Sequence, residues 1–430
     1  MKFFVAFFVI GLVLIFSQPN QALSQTIPDD SSKESLSPEL RVWRNFSSDV
    51  LDVDVIEGWT GNATHSVHYV FDKLILGEKP EDQSAGERAL RFGAAAVPLL
   101  LVERGISGAS HEYGHFRVYS MIGSHDFEFV NKKDQNDRFD ADPFNSFFTI
   151  LKKTLGGKQY SATASFDQSA SYYRDYFRHY REFDVMAEAG GLNQQQYNLE
   201  KLSDNILDGR AHPLDSVTYL INLIGTVRYS TDFSGSDITD YIDDLRLLGV
   251  KTDVNKVKWV SQAPKVFSNS GLSVFLGAVD YWQTGNRKIE PLTMEVGEVR
   301  AYWPEFASYL TLYGPTVKVS QRNDWKGNSF TVSLERSLSD GQLETGIGWK
   351  GPIISNVLSA EARLVHNFNE GGTWIEGGPT LQFFSWLTIG VKGYSGNGYT
   401  FRREIAGQVP DFVESQESGL KGFIQVNIQF

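Results

Sequence analysis

The chain has 430 residues, a formal net charge of -12, 13% aromatic residues, 39 glycines and no cysteine. Its Lys and Arg residues are scattered among acids, with no basic stripe, which excludes nucleic acid and an anionic membrane surface as partners. A secreted chain of this size without disulfides is unlike an animal extracellular protein and fits a bacterial envelope protein better.

The opening MKFFVAFFVIGLVLIFSQPNQALSQ places a lysine before an apolar run, a breaker cluster and the small-ended Ala22-Leu23-Ser24. It reads as a signal peptide over residues 1–24, with an uncleaved anchor as the alternative. About 400 residues remain, room for two domains or for one threaded through another. Residues 25–83 form an N-terminal arm, loose to about residue 50. LDVDVIEGWTGNATHSVHYVFDKLIL (51–76) then shows partial alternation, giving one or two possible first strands.

The period changes near Ser84. GERALRFGAAAVPLLLVERG predicts a helix bent at Pro98, its apolar core too short to span a bilayer. A GISG break follows, and Ser110 suits the cap of a second helix opening at His111. Further helices are predicted over 170–206, 216–230 and 237–250, so that 84–260 is a helical, metal-binding segment.

HEYGH (111–115) is the motif that carries chemistry. On a helix, His111 and His115 lie one turn apart and can offer both imidazoles to one Zn²⁺. Glu112 beside them is the candidate catalytic base. Gly114 costs helix stability, so it asks for a reason such as close approach of another helix or of substrate. The pentad resembles the zincin metallopeptidases, among whose membrane-associated members HE-x-G-H is frequent. The resemblance covers residues 111–115 and their helical setting. It implies a zinc hydrolase with peptide bonds as the default substrate; an ester or amide of an envelope lipid would use the same chemistry.

The third histidine of the metzincin pattern is missing, since His125 falls too far along. A glutamate from a later helix, as in gluzincin-like enzymes, is the substitute this resemblance implies. Glu188 is preferred, because Ala187, Ala189, Gly190 and Gly191 would let its helix come close to the metal helix. Glu182 is the rival, and Asp184, one turn before Glu188, can orient a ligating histidine. Asp184 and His125 stay open as alternative site residues. His179 and His212 read as surface or capping residues. His125, Tyr172, Tyr173 and Arg181 are candidate donors to a developing oxyanion, and nothing selects among them. DITDYIDDL, with Asp240, Asp243 and Asp244, lacks a calcium-loop pattern and reads as a solvated helix face.

Beyond about residue 265 the period becomes two, with about eight short strands separated by breakers such as SDG, NEGG and GNG. In the final FIQVNIQF, Ile424, Val426, Ile428 and Phe430 share one face, and Gln425, Asn427 and Gln429 the other. This apolar-out, polar-in strand ending in Phe resembles the closing strand of Gram-negative outer-membrane proteins, which the barrel-insertion machinery reads. Phe383, Phe384, Trp386, Trp303, Tyr309, Tyr394 and Tyr399 are candidates for interfacial girdles. If 51–76 and YSATASFDQ (160–168) joined the barrel, its strand count would rise towards ten or twelve.

The expected fold is α+β: a helical zincin-like segment plus an antiparallel C-terminal β-barrel over 265–430. The expected location is the Gram-negative outer membrane, with the metal site periplasmic or within the barrel. Outer-membrane lipid and the insertion machinery are the expected partners. The expected function is a zinc-dependent hydrolase, in first place a metallopeptidase. The alternatives are a non-catalytic outer-membrane barrel (channel or structural) with a helical insert, and a metal-stabilised binding module.

Overall fold

A computed structural model describes residues 40–47, 53–77, 79–121, 126–140, 145–156, 158, 160–165, 179–229, 237–355, 357–384, 387–401, 404 and 418–428. The signal segment, His125, Tyr172, Tyr173, Trp386 and Phe430 lie outside the described residues. The stretch predicted as first strands is helix α1 (Val53–Phe71), continued by a π turn over Asp72–Leu76. Ile56, Ala63 and Val67 recur at helical spacing and pack on Tyr113, Phe116 and Phe129, so a period near 3.6 prevails over the short alternation.

Helix α2 (Ala85–Met121) runs through the predicted GISG break without interruption and contains Pro98. Its start is set by a capping box: Ser84 N donates to Glu87 Oε2 at 2.9 Å, and Glu87 N to Ser84 Oγ at 3.3 Å. Gly105 stays helical because α3 (Asn145–Leu155) packs there; a Cβ on it would sit 2.8 Å from Leu151 Cδ1. Ser110 is therefore not a cap. Its Oγ accepts from Asn198 Nδ2 at 2.6 Å, inside the contact with α4 (Tyr180–Leu207). At that crossing the backbones nearly touch. A Cβ on Gly114 would lie 2.4 Å from Gly190 O, and one on Gly190 2.7 Å from Gly114 O.

Four more helices follow: α5 (Asp215–Tyr229), α6 (Asp237–Leu247), α7 (Val254–Val266) and α8 (Asn269–Thr284). The last falls inside the segment expected to be all strand. A small sheet of β2 (Asp126–Asn131), β3 (Asp134–Asp140) and β4 (Tyr160–Ser165) has the order β3-β2-β4 and lies beside α2, apart from the large sheet.

The large sheet contains β1 (Leu40–Ser47), β5 (Thr293–Val296), β6 (Val299–Tyr302), β7 (Glu305–Thr311), β8 (Gly314–Trp325), β9 (Asn328–Ser337), β10 (Leu343–Ile354), β11 (Leu358–Asn367), β12 (Thr373–Phe384), β13 (Leu387–Asn397) and β14 (Ser418–Ile428). Its order is β1-β14-β13-β12-β11-β10-β9-β8-β6-β5, with β7 also paired to β8. The N-terminal arm thus supplies a strand, Leu40 opposite Ile428 through Ser47 opposite Lys421. The order ends at β1 on one side and β5 on the other, so the described strands form an open sheet and not the closed barrel expected. The outer-membrane location, the lipid partner and the insertion-machinery partner depended on that barrel and are overturned with it. Among the described residues no helix is long and apolar enough to cross a membrane. Of the girdle candidates, Tyr309 and Tyr394 are instead buried, Tyr394 stacked on Trp374 at 5.1 Å, and Tyr399 donates to Glu404, while Trp303, Phe383 and Phe384 are exposed.

The alternation itself is real. In β9, Phe330, Val332 and Leu334 are exposed, while Glu335 and Ser337 are buried. The polar inner face meets α4, where Lys318 Nζ and Tyr309 OH both donate to Glu200, and Ser308 Oγ donates to Gln196 Oε1 at 3.3 Å. β7 would leave a bare outer edge, and side chains close it. Asn193 donates to Leu310 O at 2.7 Å and accepts from Leu310 N at 2.8 Å, pairing like a neighbouring strand. Tyr241 OH donates to Thr311 O at 2.8 Å, and Leu312 N donates to Glu404 Oε1 at 3.0 Å.

Two outcomes follow from this packing. Gly114→Ala should destabilise the fold by about 1–3 kcal/mol or more through overpacking, whereas Gly108→Ala, whose Cβ would meet nothing within 4 Å, should gain up to about 1 kcal/mol; denaturant titration of both compares them. Burial pushes the Glu404 carboxyl up to about 8. A carboxyl raised in the folded state contributes stability fully below its unfolded value of about 4.3, and loses it as pH rises through the folded value. Wild type should therefore lose melting temperature relative to Glu404→Gln between about pH 4.3 and pH 8, and the gap should close in acid.

Candidate metal centre

His111 and His115 stand on one face of α2, and Asp237 is the first residue of α6. Their ligand atoms converge: His111 Nε2 lies 2.9 Å from Asp237 Oδ2, His115 Nε2 lies 3.4 Å from the same oxygen, and the two Nε2 atoms are 3.1 Å apart. A tetrahedral Zn²⁺ with bonds near 2.05 Å has ligand atoms about 3.3 Å apart. All three separations lie within about half an ångström of that edge. The cluster is able to hold a metal ion, and the donor set of two imidazoles and a carboxylate suits zinc.

The helix crossing makes this convergence possible. A Cβ on Gly191 would fall 2.6 Å from His111 Nε2 and from His115 Nε2, so only a glycine lets α4 lie over the imidazoles. One turn earlier, His115 Nδ1 donates to Ala187 O at 2.6 Å, which fixes the tautomer and turns Nε2 to the cluster. α6 is set by its apolar face, with Ile238, Tyr241 and Leu245 buried on Val185, Ala189 and Leu310. Tyr241 also holds the edge of β7, so the sheet positions Asp237 indirectly.

The charges suit a cation. Burial alone would lower His115, but the hydrogen bond and charge of Asp237, helped by Glu112, raise it to about 9. Asp237 sits far below the usual carboxylate range, because the two histidines outweigh its burial. Glu188, half-buried on α4, is raised to about 7 by burial and by the charges of Asp237, Asp240 and Asp244, with His115 opposing. Tyr119, one turn beyond His115, is pushed to about 12 by burial and by Glu188, Asp184, Asp237 and Glu112.

Glu112 is half-buried, and its Oε2 accepts from Ala162 N of β4 at 2.8 Å. β4 pairs β2 by one edge and has no strand on the other among the described residues. Glu188 interacts electrostatically with His115 and Asp237, and Asp184 with Tyr119, while the group able to chelate is His111, His115 and Asp237. Glu182 occupies the first turn of α4 and is not in that group. His212 pairs with buried Asp72 at 3.2 Å, and His179 precedes α4 at its N-cap. Arg181 donates to Tyr180 OH at 2.8 Å. Asp237 escaped the sequence reading, which took DITDYIDDL for a solvated face; the local signal available was an acid following Ser234-Gly235-Ser236 at the start of a helical pattern.

A second buried ionic cluster lies higher on α2. His68 Nδ1 is 2.8 Å from Asp215 Oδ1, its Nε2 is 3.0 Å from Thr218 Oγ1, and Glu103 Oε1 is 3.6 Å from that Nε2. Its carboxylates approach different ring nitrogens, which is the geometry of an ion triad and not of a chelate.

No family model matches the chain, and neither does any curated protein or any solved structure. The combined resemblance to a zincin and an outer-membrane barrel is accordingly withdrawn: the described sheet is open, and what stands is a His111/His115/Asp237 cluster able to coordinate a metal ion. Gly191→Ala should weaken zinc affinity by about tenfold or more with every donor intact, as measured by competition with a chromophoric chelator, while Gly93→Ala, whose Cβ would meet nothing within 4 Å, should leave it unchanged.

Proposed function

We propose that the protein is a zinc-dependent hydrolase with peptide as its substrate class. The observation that carries this reading is the joining of His111, His115 and Asp237 into one chelating group directly beside Glu112. A bound zinc ion would supply Lewis acidity to a substrate carbonyl and acidify a water in the site. His111, His115 and Asp237 would hold it, with Glu188 the neighbouring rival donor. Glu112 acts as general base, taking a proton from the attacking water and returning it to the leaving amine. Its bond to Ala162 N anchors the carboxylate at the outer edge of β4, where an extended peptide can align by strand addition. This placement favours peptide over lipid.

The same bond supports a second reading. A Glu112 fully engaged as a strand anchor would leave the metal as a stabiliser of the fold, without turnover.

Elemental mass spectrometry of the purified chain, beside His111→Ala, Asp237→Asn and Glu188→Ala, tests the site. About one zinc per chain, lost in the first two variants and kept in Glu188→Ala, is expected. Loss in Glu188→Ala with retention in Asp237→Asn would move the third ligand to α4. Glu112→Gln should keep zinc and lose at least about 100-fold in cleavage of a quenched peptide library. Zinc bound without any Glu112-dependent cleavage would favour the stabilising reading, and no zinc after reconstitution would overturn both.

A further inference from the structure

The amino-terminal half of α2 carries a face that no described residue covers. Leu90, Val97 and Leu101 are 75%, 65% and 63% exposed. With exposed Glu87, Ala94 and Arg104 they fall within an arc of about 100° on the helix. The opposite face, with Ala95 and Leu99, is buried against α1 and α5 residues. An apolar stripe of this kind on an otherwise anchored helix marks an interaction surface.

The order of residues along the stripe fits one occupant. If a second copy of α2 lies antiparallel across it, with the twofold axis between Ala94 and Val97, each Ala94 meets Val97 of the other copy. Each Leu90 then meets Leu101, and each Glu87 meets Arg104. The small Ala94 and Gly93 at the centre allow close approach; a Cβ on Gly93 would meet nothing within 4 Å. Opposite charges close both ends, and the antiparallel dipoles add to the match. This is the self-complementarity an isologous interface requires. The stripe spans about 26 Å from Glu87 to Arg104. A lipid surface is a poorer partner, because acidic Glu87 lies on the face and the chain carries a formal net charge of -12.

We propose that this protein forms a twofold dimer through antiparallel pairing of α2 over Glu87–Arg104. The native chain has no cysteine, so introduced thiols report the register alone. In the full-length protein, Leu90→Cys chains mixed with Leu101→Cys chains should be joined by a short bismaleimide. Leu90→Cys chains alone should not, since their thiols would stand about 16 Å apart along the axis. Sedimentation should give a dimer for wild type, and a dissociation constant at least about tenfold weaker for Leu101→Glu, with an unchanged far-UV circular dichroism spectrum because the position is exposed in the single copy. A monomeric wild type would overturn the proposal. So would cross-linking of Leu90→Cys to itself as readily as to Leu101→Cys, or vesicle flotation of a chain that stays monomeric.

Discussion

The crossing of α2 and α4 at Gly114 and Gly190 is the contact on which the rest of the helical half depends. Two glycines bring the backbones within touching distance, and Gly191 then lies flat against the imidazoles of His111 and His115. That approach puts Ala187 O where it can orient His115. It also places the α4 surface on which α6 packs, which brings in Asp237. A side chain at any of the three glycines would separate elements that the cluster needs together.

The helical half and the sheet meet through an interface that is polar where most cores are apolar. α4 presents Asn193, Gln196 and Glu200 to β7 and β8, and these side chains receive the hydroxyl, ammonium and backbone groups of the inner face. Buried polar contacts of this kind cost heavily if one partner is lost, and they define a single register when all are made. The exposed apolar residues of β9 are the counterpart: the usual assignment of faces is reversed, and the amides and carboxylates of α4 make the reversal tolerable.

Much of this was legible in the chain. HEYGH indicated the histidine pair, the strand meander was visible from its breakers, and the small residues around Glu188 announced a close helix approach. Three things were not. Glycines 105 and 108 look like a break in α2, yet packing of α3 keeps the helix continuous. Strand β1 hides in a polar arm because its partner, β14, lies at the far end of the chain. Asp237 is brought to the histidines by tertiary packing across more than a hundred residues, and no local spacing encodes that. The terminal strand misled for a physical reason: alternation specifies which face a residue takes, while closure into a barrel depends on what the two edge strands do.

The plugging of the β7 edge bears on how the chain reaches its native state. Leu310, Thr311 and Leu312 find their partners in Asn193, Tyr241 and Glu404, which belong to segments both before and after the strand. The sheet edge is therefore incomplete until α4 and α6 have docked, and the packing of α6 on α4 is completed only when Leu310 and Thr311 are in place. Assembly of the two halves is mutually conditional, so the cooperative folding unit cuts across the visible change of period in the sequence. Cleaving the chain at that change would release two fragments, each with an unsatisfied backbone surface.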